Sequence, residues 1–266
     1  MAVYSDALRA TASIFVFLAT WEAMSNVTKW FGVEMQWAKV IPPPTTVLKT
    51  WIALLGDPDY WHSWYLSTYR VATGFVAAMV FGIPLGLAMA VSKTFRGISF
   101  PVFEVLRPIP PLAWVPASII FWPTQELSVI FVIFLGAFTT VVINVLGGAR
   151  AIDIRFIQSA QAMGSSGRDI FRRIILPHTI PSIVVGGEVG MGITWAIVVA
   201  AEMIAGGGSS LSGRGAGLGY FIWNAYVNQS FPEIIVGMFS IGAAGFAASA
   251  VLRRVGRRLT PWLQVR

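Results

Sequence analysis

Six stretches of this chain are each long and apolar enough to cross a lipid bilayer, and that recurrence constrains the fold more than any other feature. They are Leu8–Val27, Leu66–Val91, Pro101–Trp122, Glu126–Leu146, Ile180–Ala205 and Pro232–Val251. A crossing helix needs roughly 20 apolar residues, and helices satisfy every backbone donor and acceptor within hydrocarbon. The sequence therefore reads as an all-α, polytopic membrane protein with six transmembrane helices in one transmembrane domain, residues 1–266. Composition agrees: 56% of residues are hydrophobic and 12% charged, against about 25% charged in soluble domains. The first stretch has no basic segment ahead of it beyond Arg9. Trp21 and Glu22 stand where a signal-peptide cleavage site needs small residues, so it reads as a retained helix.

Basic residues mark the ends of these stretches. Arg150, Arg155, Arg168, Arg172 and Arg173 lie in the segment 147–179, and Lys93 and Arg96 lie in the link 92–100. Arg253, Arg254, Arg257, Arg258 and Arg266 follow the last stretch. Loops rich in Lys and Arg stay in the cytoplasm, so with six crossings both termini are expected to be cytoplasmic. Arg70, near the outer end of the second stretch, is an exception to that pattern. The formal net charge of +7 thus reads as topology rather than as a nucleic-acid face. The absence of cysteine excludes disulfides and thiolate chemistry, and His62 and His178 are too far apart in sequence to suggest a metal centre.

Four further segments carry information. In the outer loop 28–65, Pro42-Pro43-Pro44 blocks a helix and Thr45 or Thr46 can cap the next one. Val47, Leu48, Trp51, Ile52 and Leu55 then recur at helical spacing, with Lys49 off that face. This predicts a short amphipathic helix on the outer membrane surface. The third stretch places Pro108, Pro110, Pro111 and Pro116 within ten residues, which rules out a straight lipid-facing helix. It is either a kinked packing helix or a border of a pathway, with Arg107 and Trp114 as pathway candidates; Glu104, one turn before Arg107, is its natural ion-pair partner. The fifth stretch is the best candidate to line a pathway, since Glu188, Trp195 and Glu202 are spaced by seven and fall within about 40° of one stripe. Intramembrane carboxylates serve either structural pairing or gating and solute contact. The Gly/Ser-rich loop 206–219 with Arg214 is a gate, a docking segment or a plain connector.

The loop 147–179 is the most specific part of the chain. Ile154, Ile157 and Ala160 begin a short helical period that Gly164 can end as a C-cap. Asp169 can open a second helix holding Ile170, Phe171, Ile174 and Ile175, with Pro177 as its stop. The result is a knob suited to docking a protein, or an amphipathic loop resting on the membrane.

The same loop resembles the EAA loop of ABC importer permeases. Gln158, Ser159 and Ala160 fall on the Glu-Ala-Ala triplet, Gly164 on the glycine that follows, and Ile174, Leu176 and Pro177 on the Ile-x-Leu-Pro ending. From Ile41 to Trp262 the chain is similar to the nitrate/sulfonate/taurine/bicarbonate branch. The matching segments include Arg70-Val71-Ala72-Thr73-Gly74-Phe75, Gly82-Ile83-Pro84-Leu85-Gly86, Leu106-Arg107-Pro108-Ile109-Pro110-Pro111 and Gly217-Leu218-Gly219. The resemblance implies a type I ABC importer permease in the bacterial inner membrane, without ATPase activity of its own. Arg155, Gln158, Ser159, Ala160, Ala162, Gly164, Leu176 and Pro177 would couple it to a cytoplasmic ATP-binding subunit dimer that holds ATP and Mg. A second copy of the permease and an extracytoplasmic solute-binding protein would complete the importer. Gln158 and Ser159 depart from the triplet, and Gln cannot supply the charge of Glu.

No phosphate-binding loop is present: Lys49 and Lys93 each precede a threonine, but Leu48 and Ser92 occupy the glycine position. No catalytic cluster points to a membrane-embedded enzyme. The remaining alternative is a secondary transporter or channel needing no ATPase, for which inverted repeats would be the signature.

Overall fold

The computed structural model describes residues 2–31, 40–206 and 217–263, and every described element is helical. In chain order these are α1 (Ala2–Phe31), α2 (Pro44–Leu54), α3 (Pro58–Val91), α4 (Lys93–Leu106), a 3-10 turn (Pro111–Trp114), α5 (Val115–Phe121) and α6 (Gln125–Arg150). Then follow α7 (Ile154–Ala162), α8 (Gly167–Ile170), a π turn (Phe171–Ile175), α9 (Leu176–Gly206), α10 (Leu218–Val227), α11 (Phe231–Leu259) and a 3-10 turn (Pro261–Leu263).

Among the described residues, four continuous helices are long and apolar enough to cross a membrane: α3, α6, the run ending in α9, and α11. The expected first span is the 30-residue α1, which extends beyond Val27 and exposes Ile14–Leu18. The expected third span is broken. Helix α4 stops at Leu106, the backbone turns through Arg107–Pro110, and α5 resumes after the 3-10 turn, as four prolines without N–H groups dictate.

Helix α6 is the hub. Val132, Ile133, Ala137, Val141, Val142 and Val145 are fully buried on it, and glycines on both neighbours let backbones approach. Against α3, Gly74 meets Ile133, Gly82 meets Val141 and Gly86 meets Val145, in constant parallel register. Against α9 the pairs Gly136/Ile197, Asn144/Gly186 and Gly148/Ser182 run antiparallel. Lipid is as apolar as a leucine side chain, so small residues and close packing supply the association that the hydrophobic effect supplies in water.

Helix boundaries differ from the expectation where a local cap decides them. Helix α3 starts at Pro58 because Asp57 caps it, accepting from the Asp59 N–H at 2.9 Å. This draws Tyr60 into the fold, where its hydroxyl lies 2.7 Å from Ser240 Oγ of α11. The predicted amphipathic helix is α2, but neither Thr45 nor Thr46 caps it through its own side chain. Glu22 of α1 accepts instead from the Thr45 N–H (3.2 Å) and Oγ1 (3.0 Å). Val47 of α2 is buried and Trp51 half-buried towards Phe239 of α11, while Leu48, Ile52 and Leu55 remain exposed. Pro177 does not stop a helix. The Leu176 N–H bonds to Phe171 O five residues back, widening the turn just ahead of the proline. His178 Nδ1 lies 2.8 Å from Ile174 O and Thr179 Oγ1 donates to Ile175 O at 2.7 Å, so helix continues from Gly167 into α9. Most of the 206–219 loop, including Arg214, lies outside the described residues.

A Cβ at position 86 would lie 2.8 Å from Val145 and 3.0 Å from the Val142 carbonyl, whereas one at position 97 meets nothing within 4 Å. Gly86→Val should therefore destabilise the purified protein by about 1–3 kcal/mol, read as a lowered Tm in detergent. Gly97→Ala should leave Tm unchanged or slightly raised.

Candidate functional site

The strongest polar constellation at membrane depth centres on Arg70 of α3, which is 3% exposed. Its Nε donates to Glu126 Oε2 at 2.8 Å and its Nη2 donates to Glu126 Oε1, a two-pronged grip on the first turn of α6. Its Nη1 donates to Glu202 Oε1 at 2.7 Å on α9. Glu202 is 1% exposed. Its carboxylate also takes the Ser67 hydroxyl at 2.8–2.9 Å and the Gly219 N–H at 2.9 Å, and Ser67 Oγ accepts in turn from the Leu218 N–H at 2.8 Å. One guanidinium serves two carboxyl groups, and the Ser67 hydroxyl and Gly219 amide complete the hydrogen bonding of Glu202. The network ties α3, α6, α9 and α10 together at one end of the bundle.

The loop end that joins this network must be glycine. Gly217 has φ +109°, and a Cβ there would lie 2.3 Å from Glu202 Cδ; at Gly219 it would lie 2.4 Å from Val199 O. The Arg70–Phe75 and Gly217–Gly219 segments, distant in sequence, therefore meet on one carboxylate.

This placement sorts the pathway candidates. Glu188 is half-buried and, among the described residues, makes no hydrogen bond or ion pair. It shares an exposed arc of α9 with Val185, Val189, Gly192 and Ala196. Trp195 is instead a core residue, 5% exposed and packed against Gly245 of α11. Glu202 is inside the network. The cause is geometric: a spacing of seven drifts about 20° per step, enough to carry the stripe from a half-exposed edge into the core. Trp114 lies half-buried in the 3-10 turn and lines an apolar cavity of about 250 Å³ with Phe103, Leu106, Pro111, Phe131 and Phe138. Arg107 is exposed where α4 ends, and no ion pair joins it to Glu104.

The segment 153–177 divides in two. Asp153 caps α7 by accepting from the Arg155 N–H at 2.9 Å. The far end closes with a Schellman turn, in which the Ser165 N–H bonds to Ala160 O and the Gly164 N–H to Gln161 O, both at 2.9 Å. Gly164 takes φ +83°, as its predicted C-cap role requires. Arg155, Gln158, Ser159 and Ala162 are exposed on α7, and Ala160 is buried. Ile154, Phe156 and Met163 are also exposed, and Phe156 rests against His178 with ring centroids 5.8 Å apart. Leu176 and Pro177 lie apart from this group, half-buried where the helix enters the bundle, with Leu176 packed beside Leu87, Val141 and Val145.

Residues 82–265 match the family of binding-protein-dependent transport system inner membrane components. The chain belongs to this family. It is a membrane-embedded ABC importer permease, a transport subunit rather than an enzyme, which works with an ATPase and a solute-binding protein. An ABC transporter permease protein of Methanocaldococcus jannaschii is 38% identical over 79% of this chain and 76% of its own length. The taurine transport system permease protein TauC of Escherichia coli is 34% identical over 84% of this chain and 80% of its own. The nitrate import permease protein NrtB of Leptolyngbya laminosa is 33% identical over 82% and 78%. In fold, the permease is similar to a chain of the MetNI methionine ABC transporter in an inward-facing conformation, with a TM-score of 0.62 and 19% identity over 77% of this chain and 99% of that one. A chain of a bacterial importer of the polysaccharide alginate gives 0.60 and 15% identity over 98% and 100%. The ATPase-independent alternative finds no support among these relatives.

Removing one partner of a buried ion pair strands the other, at a cost of about 3–5 kcal/mol, while replacing both with apolar side chains is often close to neutral. Arg70→Met should lower the unfolding stability of the permease by about that amount. Adding Glu202→Met to it should restore only part of the loss, because the Gly219 N–H and Ser67 hydroxyl then lack their acceptor and Glu126 its cation, as judged by thermal unfolding of the purified variants.

Proposed function

We propose that α7 is the element through which ATP hydrolysis drives this permease, and that two copies of the chain flank one pathway for a small anionic or zwitterionic solute. The observation that carries the reading is a short helix capped at both ends, with Arg155, Gln158 and Ser159 and the apolar Ile154 and Phe156 exposed on it. Such a knob fits a cleft in a separate ATPase subunit, where ATP and Mg would be bound. The side of the membrane bearing α7 and both termini would be the cytoplasm, as the arginine-rich ends of α6, α8 and α11 favour. A solute-binding protein would deliver its cargo to the opposite face. Closure of the ATPase dimer would draw two α7 helices together and rock the bundles as rigid bodies.

The solute class follows from the taurine and nitrate systems to which the relatives belong and from the charges left unpaired. With Glu202 neutralised by Arg70, one carboxylate of α9 remains available, Glu188, on the arc that a second copy would face. A zwitterion such as taurine offers its ammonium group a partner there, and Arg107 is an exposed cation for its anionic end.

Gly164→Val places a β-branched residue at φ +83°, which costs roughly 1–2 kcal/mol and unseats the end of α7. The variant should insert and fold normally, while co-purification of the ATPase subunit falls at least tenfold and solute-stimulated ATP hydrolysis is lost. Unchanged association and transport would remove the coupling role from α7. Glu188→Gln should reduce uptake of taurine by roughly tenfold, the worth of one lost ion pair of about 1.4 kcal/mol, and leave nitrate uptake unchanged or higher; equal effects on both solutes would take Glu188 out of the pathway.

A further inference from the structure

The end of α11 carries a charge pattern that importer membership does not explain. After Glu233 the chain has no acidic residue, yet Arg253, Arg254, Arg257 and Arg258 follow within two turns. The helix rises 1.5 Å per residue, so Arg253 stands about 33 Å and Arg258 about 40 Å from Phe231. The hydrocarbon core of a bilayer is about 30 Å thick, which sets all four guanidiniums at headgroup depth.

The last turns of α11 show three distinct faces. Leu252, Gly256 and Thr260 turn inward; Gly256 touches Val184 of α9 so closely that a Cβ would lie 2.4 Å from its Cγ1. The arginines occupy an arc of about 140°, and Val251, Val255 and Leu259 fill the neighbouring arc of about 80°. Those three side chains are exposed, as is Trp262 beyond them. Arg253 holds its guanidinium 5.7 Å over the ring of Phe246, a residue 71% exposed on the membrane-spanning part of the helix. A soluble partner approaching from the aqueous side would not meet that group.

We infer that this surface is a binding site for anionic phospholipid headgroups, with the arginines holding phosphodiesters and the adjoining apolar arc covered by acyl chain. Apolar side chains interleaved with cations at the boundary depth match a lipid, whereas an acidic protein surface would leave Val255, Leu259 and Trp262 without a partner. Because Gly256 packs on α9, a lipid seated here braces the contact between the two helices.

The test uses the permease with its ATPase subunit in nanodiscs of phosphatidylcholine containing 20% phosphatidylglycerol, with bound lipid counted by native mass spectrometry. The wild-type protein should retain phosphatidylglycerol at least tenfold over its bulk ratio, and the enrichment should decline as ionic strength rises. R253Q/R254Q/R257Q/R258Q should lose the enrichment, and the corresponding quadruple lysine variant should keep at least half of it. Enrichment that survives in the glutamine variant, or that is insensitive to salt in the wild type, would overturn the site. So would a glutamine variant that keeps phosphatidylglycerol but sheds the ATPase subunit, which would make the patch a protein contact.

Discussion

A guanidinium held at hydrocarbon depth must find partners in the protein, because acyl chains offer none and desolvation costs several kcal/mol per ion. Arg70 finds two carboxylates, and the positions of four helices follow. Glu126 can reach it only if α6 begins beside the N-terminal half of α3. Glu202 can reach it only if α9 runs antiparallel to both, and the carboxylate then collects the amide of Gly219 and so fixes where α10 begins. This is directional bonding in a medium where burial of apolar surface no longer discriminates one packing from another.

Along the rest of their length these helices are held by shape. Close-packed glycines bring the backbones of α3 and α9 against α6 in fixed register, so the three form one tightly packed body. The departures from regular helix lie outside that body. The proline-rich break follows α4, and the π turn at Phe171–Ile175 precedes the point where Ser182 engages Gly148. Irregular backbone is thereby confined to segments that a rigid core does not need.

Much of this was legible in the sequence. Long apolar runs announced the helices, since no other structure satisfies their backbones in hydrocarbon, and clustered prolines announced the break at Arg107–Pro110. Gly164 was legible as a cap because αL backbone is a local property. What failed was any inference that needed a partner distant in the chain. Glu22 caps α2 from 23 residues away, where the sequence suggested Thr45 or Thr46. Pro177 obeyed a widened turn rather than the usual rule for proline. Trp195 went to the core because a heptad stripe drifts around a straight helix. The Arg70 network left one trace, an arginine on the wrong side of the charge pattern inside an apolar run. Which acids would answer it could not be read from sequence, because Glu22, Glu104, Glu126, Glu188, Glu202 and Glu233 all lie in the apolar stretches.

The arrangement around Arg70 also sets an order of events during biosynthesis. Its partners lie 56 and 132 residues further along the chain. At synthesis rates of about 5–20 residues per second, Glu126 follows Arg70 by about 3–11 s and Glu202 by about 7–26 s. For that interval α3 carries Arg70 without either glutamate, offset by the apolarity of most of its other residues. The helix therefore has reason to linger beside the insertion machinery until α6 emerges, and the bundle closes only when the glutamate of α9 arrives.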